Sequence, residues 1–164
     1  MRSSFLKSIV LAALLVPSAA AAAPAAPAPP ADPLATLAAN VARLSAAGEH
    51  ERWQANLDLW TAVQGRAEAV NAADRAKLEE LLGRIRSNIQ QAGGYAERGR
   101  WQGNLDLWQA AITHPGGLPR DVQRAMRDTY ASMKAGMAGI DEKEEKERWT
   151  LNARLWKESL ARVK

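Results

Sequence analysis

Three copies of one short segment recur in this chain at a constant spacing of 48 residues. The copies align without a gap as ERWQANLDLW at 51–60, GRWQGNLDLW at 99–108 and ERWTLNARLW at 147–156. All six tryptophans fall into two columns of this alignment: Trp53, Trp101 and Trp149 in the first, and Trp60, Trp108 and Trp156 in the second. Because tryptophan is rare, chance does not explain this placement, and we predict a fold built from three equivalent units.

Other columns of the alignment extend the repeat on both sides of the tryptophans. An arginine, an asparagine, a leucine and a glutamate are each identical in all three copies: Arg52, Arg100 and Arg148; Asn56, Asn104 and Asn152; Leu59, Leu107 and Leu155; Glu49, Glu97 and Glu145. Further upstream, apolar columns begin at Leu34, Leu37 and Val41, with spacings of three and four residues. Such spacings are typical of an amphipathic helix.

Each unit therefore predicts a helical hairpin, and the whole an all-α fold of three tandem hairpins. We expect the first helices near 32–45, 71–91 and 119–137, and the second near 48–64, 95–112 and 141–163. Asp32 before Pro33 predicts an N-cap, as does Asn71, and Asp141 with Glu144 has the spacing of a capping box. The hairpins can stack as a short solenoid or close into a bundle, and the sequence leaves both arrangements open.

The N-terminal part of the chain differs in composition from the repeats. Residues 1–23 combine Arg2 and Lys7, an apolar run at 9–16 and small residues at 18–23, a pattern typical of a secretory signal peptide. Residues 24–32 are rich in alanine and proline and predict an extended linker. The repeat domain is expected at 33–164, with units near 25–68, 69–116 and 117–164. We therefore predict a periplasmic or secreted protein with no membrane span after the signal is removed.

The repeated tryptophans and asparagines have two interpretations. Two indoles seven residues apart lie on one side of a helix, and by base rates such a stripe is core. The alternative is a binding surface of repeated indole, amide and guanidinium groups. Its candidate residues are Trp53, Asn56, Trp60, Trp101, Asn104, Trp108, Trp149, Asn152, Trp156, Arg52, Arg100 and Arg148.

The polar columns need partners of their own. A buried unpaired amide costs about 1 to 3 kcal/mol, so we expect the asparagines to bond to backbone groups of adjacent hairpin turns and fix the packing register. Glu49 and Arg52 lie three residues apart, as do their counterparts, and predict surface ion pairs within one helix.

The spacing Trp53-x2-Asn56-Leu57-x2-Trp60 resembles the W-x2-L-G-x2-Y core of a tetratricopeptide helix. The sequences AAGEHE at 46–51 and AGGYAE at 92–97 resemble the turn between the two helices of that repeat. The period departs from the family's 34 residues, and the family's later alanine, aromatic and proline positions are missing. The resemblance implies stacked helical hairpins that form a partner-binding surface.

The composition provides few groups for catalysis. The chain has no cysteine and only two histidines, His50 and His114, which lie far apart in sequence, so we predict no metal site, no cofactor and no enzymatic activity. Basic residues are interleaved with acidic ones rather than gathered on one stripe, which does not indicate nucleic-acid binding.

The function expected is that of a non-catalytic scaffold or binding module for an envelope protein or peptide. One alternative is the binding of an envelope glycan such as peptidoglycan through exposed Trp, Asn and Arg side chains. A second is a periplasmic chaperone that holds unfolded clients on an apolar concave face.

Overall fold

The structure, a computed structural model, describes residues 32–162 and is all-helical over that range. The predicted signal peptide, most of the linker and the predicted end of the last helix at Val163 lie outside the described residues. Six α-helices and two short 3₁₀ helices make up the described part. The α-helices are α1 (Pro33–Val41), α2 (Ala47–Ala62), α3 (Arg75–Asn88), α4 (Tyr95–Thr113), α5 (Arg120–Ala135) and α6 (Lys143–Arg162), and the 3₁₀ helices are Ala67–Ala72 and Ile89–Gln91.

The helix boundaries follow local capping chemistry. The Asp32 side chain accepts a hydrogen bond of 3.0 Å from the Leu34 backbone N–H, as the sequence predicts. The predicted cap at Asn71 is wrong, because Asn71 lies in a 3₁₀ helix and Asp74 caps α3 by accepting from Ala76 N–H. The last helix begins at Lys143, one residue later than a cap at Asp141 requires.

Three of the helices, α2, α4 and α6, form an inner layer around an approximate threefold axis. Equivalent residues of the three helices contact one another across this axis: the indoles of Trp53, Trp101 and Trp149 are mutually 4.9 to 5.0 Å apart between ring centroids. Residues at the same height meet in this way only if the three helices run parallel. The remaining helices α1, α3 and α5 pack outside this inner layer.

The ring of hairpins is closed. The first unit meets the third directly, since α1 packs against α6 and the Trp53 ring lies 5.0 Å from that of Trp149. Arg148 of the last unit also forms an ion pair of 2.6 Å with Glu49 of the first. Of the two predicted arrangements, the structure is therefore the closed bundle rather than the solenoid implied by the tetratricopeptide resemblance.

The inner layer has the residue spacing of a three-stranded coiled coil. Along α2 the axial side chains are Trp53, Asn56 and Trp60, followed by the buried Val63. The steps of three, four and three residues equal those between the a and d positions of a heptad, which keep one seam of a helix on the axis. The outer helices cover the apolar flanks of this inner coil.

The six indoles are the largest side chains of the core. All of them are at most 1% exposed. Burial of one tryptophan removes roughly 150 to 250 Å² from water, which stabilises by about 4 to 6 kcal/mol as an upper bound. The core interpretation of the tryptophan columns therefore agrees with where the structure places them.

A closed ring predicts that the position of the chain break is interchangeable between units. In a circular permutant that runs 117–162, then a copy of connector 114–119, then 32–116, the break moves from between α6 and α1 to between α4 and α5. We expect cooperative unfolding with a free energy within about 2 kcal/mol of the parent 32–162, because relocating one short loop changes closure entropy little. Circular dichroism during denaturant unfolding measures this.

A second variant provides the control for that experiment. Removal of α1 from the same parent leaves α6 without its outer neighbour and is expected to abolish cooperative unfolding. A permutant as unstable as the α1 deletion would contradict the closed ring.

Candidate functional site

The twelve residues that the sequence nominates for binding all lie inside the bundle. The tryptophans are 0 to 1% exposed, the three asparagines are 0% exposed and the three arginines are 3 to 5% exposed. The fold brings them together around the threefold axis in four successive layers: ion pairs, upper indoles, amides and lower indoles. Their geometry shows what each layer contributes.

The upper indole layer consists of Trp53, Trp101 and Trp149. Each ring meets the other two edge to face, with interplanar angles of 65 to 66°. Edge-to-face contacts place the positive edge of one ring on the negative face of the next and are worth about 0.5 to 1.5 kcal/mol per pair beyond burial. In a cyclic arrangement of three rings, each ring presents its edge to one neighbour and its face to the other.

The amide layer is a closed ring of three asparagines. Asn56 Nδ2 donates to Asn152 Oδ1 at 3.0 Å, Asn104 Nδ2 donates to Asn56 Oδ1 at 2.9 Å, and Asn152 Nδ2 donates to Asn104 Oδ1 at 3.0 Å. Every amide is thus both a donor and an acceptor. The predicted bonds from these amides to backbone groups of hairpin turns are wrong: the asparagines bond to one another.

The lower indole layer completes the amide ring. Trp60, Trp108 and Trp156 again pack edge to face, with centroids 4.6 to 4.8 Å apart. The three indole N–H groups donate to the asparagine oxygens: Trp60 to Asn152 at 2.8 Å, Trp108 to Asn56 at 3.1 Å, and Trp156 to Asn104 at 2.9 Å. Each asparagine oxygen therefore accepts one amide and one indole bond, both from the same neighbouring helix.

Above the upper indoles, three ion pairs form a second ring. Arg52 pairs with Glu97 at 3.0 Å and Arg100 with Glu145 at 2.6 Å, and the third pair, Arg148 with Glu49, closes the circle. The predicted surface pairs within one helix are wrong, because each arginine is buried and reaches the glutamate of another unit. Each such pair joins two hairpins rather than two turns of one helix.

The same arginines contact the indoles and the outer helices. The Arg52 guanidinium carbon lies 5.9 Å from the Trp101 ring centroid, a cation–π arrangement that recurs at the other two arginines. Arg52 Nη1 also donates to the Asn88 carbonyl at the end of α3, and Arg100 Nη1 to the Gly136 carbonyl after α5. A cation at a helix C-terminus is favoured by the helix dipole, so these contacts fasten the outer helices to the inner layer.

The two indole layers differ in hydrogen bonding. The indole nitrogens of Trp101 and Trp149 are buried and have no acceptor, whereas all three lower indoles have one. The upper layer is thus held by ring packing and by the arginines, while the lower layer also depends on the amides.

Among residues 32–162 there is no cluster of three or more His, Asp or Glu side chains that would hold a metal ion. No helix in this range is long and apolar enough to cross a membrane. Burial raises the pKa of the Tyr130 phenol above its usual value of 10.0.

One surface feature escaped the sequence-based prediction. On α5 the cations Arg120, Arg124, Arg127 and Lys134 are exposed and are spaced by four, three and seven residues. At 100° per residue they fall within an arc of about 80°, and none of them forms an ion pair among the described residues. The prediction that basic residues gather on no stripe is therefore wrong for this helix.

Acidic residues flank this cationic stripe on one side only. Asp121 and Asp128 lie about 80 to 100° from Arg120 around the helix, and both are exposed. The outer helix α3 differs, since two of its four cations, Arg75 and Lys77, are paired with Glu79 and Glu80. The spacing of the cations on α5 predicts this stripe when the charges are placed around the helix. Their order along the chain, where they alternate with acidic residues, does not show it.

Comparison with known proteins provides no relative: no family model, no curated protein and no solved structure matches this chain. Its function is therefore inferred from its own geometry.

The contrast between the indole layers predicts unequal effects of the same substitution. Trp108→Phe removes a hydrogen bond to Asn56, whereas Trp101→Phe removes an N–H that has no acceptor. Both rings are fully buried, and each packs edge to face against two other indoles. We expect Trp108→Phe to lower the free energy of unfolding by about 1 kcal/mol more than Trp101→Phe, measured by urea denaturation. Trp156→Phe and Trp149→Phe form a second matched pair, and equal losses in both pairs would contradict the assignment.

The closed amide ring predicts strong non-additivity. Asn104→Leu leaves two buried donors without acceptors, Asn152 Nδ2 and Trp156 Nε1, and is expected to cost about 2 to 6 kcal/mol. Replacing all three asparagines by leucine leaves only the three lower indole N–H groups unpaired. The triple variant should therefore lose about half the sum of the three single losses. Losses that add in full, by chemical denaturation, would show that the amides act independently.

Proposed function

We propose that this chain is an exported, non-catalytic scaffold or binding module that engages an acidic segment of another envelope protein through the α5 surface. The observation that carries the proposal is the stripe of four unpaired cations on α5. Exposed cations on a rigid helix attract carboxylates and steer association.

The neighbouring aspartates favour a protein partner over a uniform polyanion. Asp121 and Asp128 lie alongside the cations and would repel a continuous row of phosphates. A protein segment with carboxylates toward the cations and a basic residue toward the aspartates matches the whole pattern. Charge patterns of this kind select a partner as well as attract it.

The interior supports the scaffold part of the proposal. The indole, amide and guanidinium groups of the repeat are engaged in contacts between the three units, which makes a rigid support for the outer helices. Glycan binding through the tryptophans requires accessible indole faces, and these six rings are buried. A chaperone requires an exposed apolar face, and Tyr95, at 89% exposed, is the one large exposed hydrophobic residue among those described. We therefore do not favour either alternative.

The test compares two charge-reversed variants in affinity capture from envelope extract. Arg124→Glu with Arg127→Glu reverses the centre of the α5 stripe. The matched control is Lys143→Glu with Lys146→Glu, which makes the same change of net charge at exposed positions of α6. We expect one set of acidic proteins to be retained by the wild type and the control, lost from the α5 variant, and released by salt because surface charges are screened.

Capture of the same proteins by all three forms would contradict the assignment to α5. Retention of nucleic acid instead of protein, lost in the α5 variant, would contradict the kind of partner. Equal melting temperatures of the three forms confirm that the folds are comparable.

A further inference from the structure

A cavity lies at the end of the bundle where the inner helices terminate. Its volume is about 180 Å³. The walls come from the 3₁₀ helix Ala67–Ala72, the ends of α4 and α6, the connector between α4 and α5, and Met126 of α5. The floor is formed by Trp156 of the lower indole layer.

The cavity arises from unequal residues at one position of the repeat. The layer that follows the lower indoles contains Val63 just after α2, Ala111 in α4 and Ser159 in α6, which are equivalent residues 48 positions apart. All three are buried, but only Val63 has a branched apolar side chain. Ala111 and Ser159 both line the cavity, so the missing methyl groups of these two copies leave the space.

The size and lining of the cavity suit one small apolar group. A protein cavity of roughly 150 Å³ lined by apolar side chains is able to hold benzene. In this cavity Val70, Leu118 and Leu160 provide the apolar wall. The Ser159 hydroxyl is already engaged, since its oxygen accepts a hydrogen bond of 3.0 Å from the Ala67 backbone N–H.

One polar atom in the wall lacks a hydrogen-bond donor. Glu68 lines the cavity, and its Oε2 atom is buried with no hydrogen-bond donor within reach. The other oxygen, Oε1, is 3.4 Å from the Arg162 guanidinium. A buried carboxylate oxygen without a donor is costly, so the Oε2 atom is available to accept a further hydrogen bond.

We propose that this cavity binds a small apolar primary amine, with its hydrocarbon body between Val70, Leu118 and Leu160 and its ammonium group donating to Glu68 Oε2. The negative charge of Glu68 selects an ammonium over a neutral head of the same size. This site is separate from the α5 stripe, so its failure would leave the proposed protein-binding function intact.

The test uses benzylamine and benzyl alcohol, which share the benzyl group and differ only in the polar group. Each is titrated into the full chain, and binding is followed by ¹H–¹⁵N NMR. We expect saturable shifts at Ala111, Ser159 and Leu160, with benzylamine bound at least tenfold more tightly than benzyl alcohol, the difference supplied by a charge-assisted hydrogen bond. Glu68→Gln should weaken benzylamine binding at least tenfold and change benzyl alcohol binding less than twofold. The control Glu79→Gln, at an exposed glutamate of α3, should change neither.

A second variant tests the location. Ala111→Val installs the residue of the first unit and fills the space, so binding of both probes should be lost while the protein gains thermal stability. The proposal is overturned if no saturable shift occurs up to about 10 mM benzylamine, if the alcohol binds as tightly as the amine, or if Ala111→Val leaves binding unchanged. Should Ala111→Val not fold, the Glu68→Gln comparison and the mapped shifts decide in the same way.

Discussion

The closed ring of three buried amides is the constraint on which the rest of this fold depends. An asparagine inside an indole-rich core is costly unless its donor and acceptor atoms are paired. Asn56, Asn104 and Asn152 satisfy each other only when three helices run parallel, at equal height and around one axis. A slip of one helix along the axis by a single turn would break two amide bonds and two indole bonds. The amides therefore select this arrangement against others with similar hydrophobic burial, as buried polar residues do in some coiled coils.

The two rings of polar contacts run in opposite directions around the axis. From α2, Arg52 reaches forward to Glu97 on α4, whereas Asn56 and Trp60 donate backward to Asn152 on α6. Each inner helix is consequently tied to both of its neighbours by different chemistry at different heights. Removal of one unit would leave unpaired charges above and unpaired donors below, so three copies form a complete set and two do not. The tryptophans are the largest buried side chains, and the polar rings determine how many helices surround them.

The sequence predicted the helices and the core far better than the contacts between units. Helical spacing and indole burial are local properties, so the hairpins and the buried Trp columns could be predicted from the sequence. The partner of Asn56 was not, because it is the same residue of another copy, and an alignment of copies does not show that they touch. The predicted partner of Arg52 was wrong for the same reason. Glu49 in its own helix and Glu97 in the next unit occupy one column of the alignment, so the alignment does not distinguish them. The cavity could not be predicted from the sequence either, because its prediction requires knowing that Ala111 faces the axis of a closed ring.

The repeated residues and the variable residues have separate roles in this molecule. The identical columns lie in the interior, where threefold matching requires sameness. Function that distinguishes one face from another must then come from positions where the copies differ. The α5 stripe is one such position, since two of the four cations on its counterpart α3 are paired with glutamates of the same helix. The cavity is a second such position. Val63 of the first copy occupies space that the smaller Ala111 leaves open in the second copy. A symmetric interior thus provides stability and register, and departures from symmetry produce the α5 stripe and the cavity, the two sites proposed for binding.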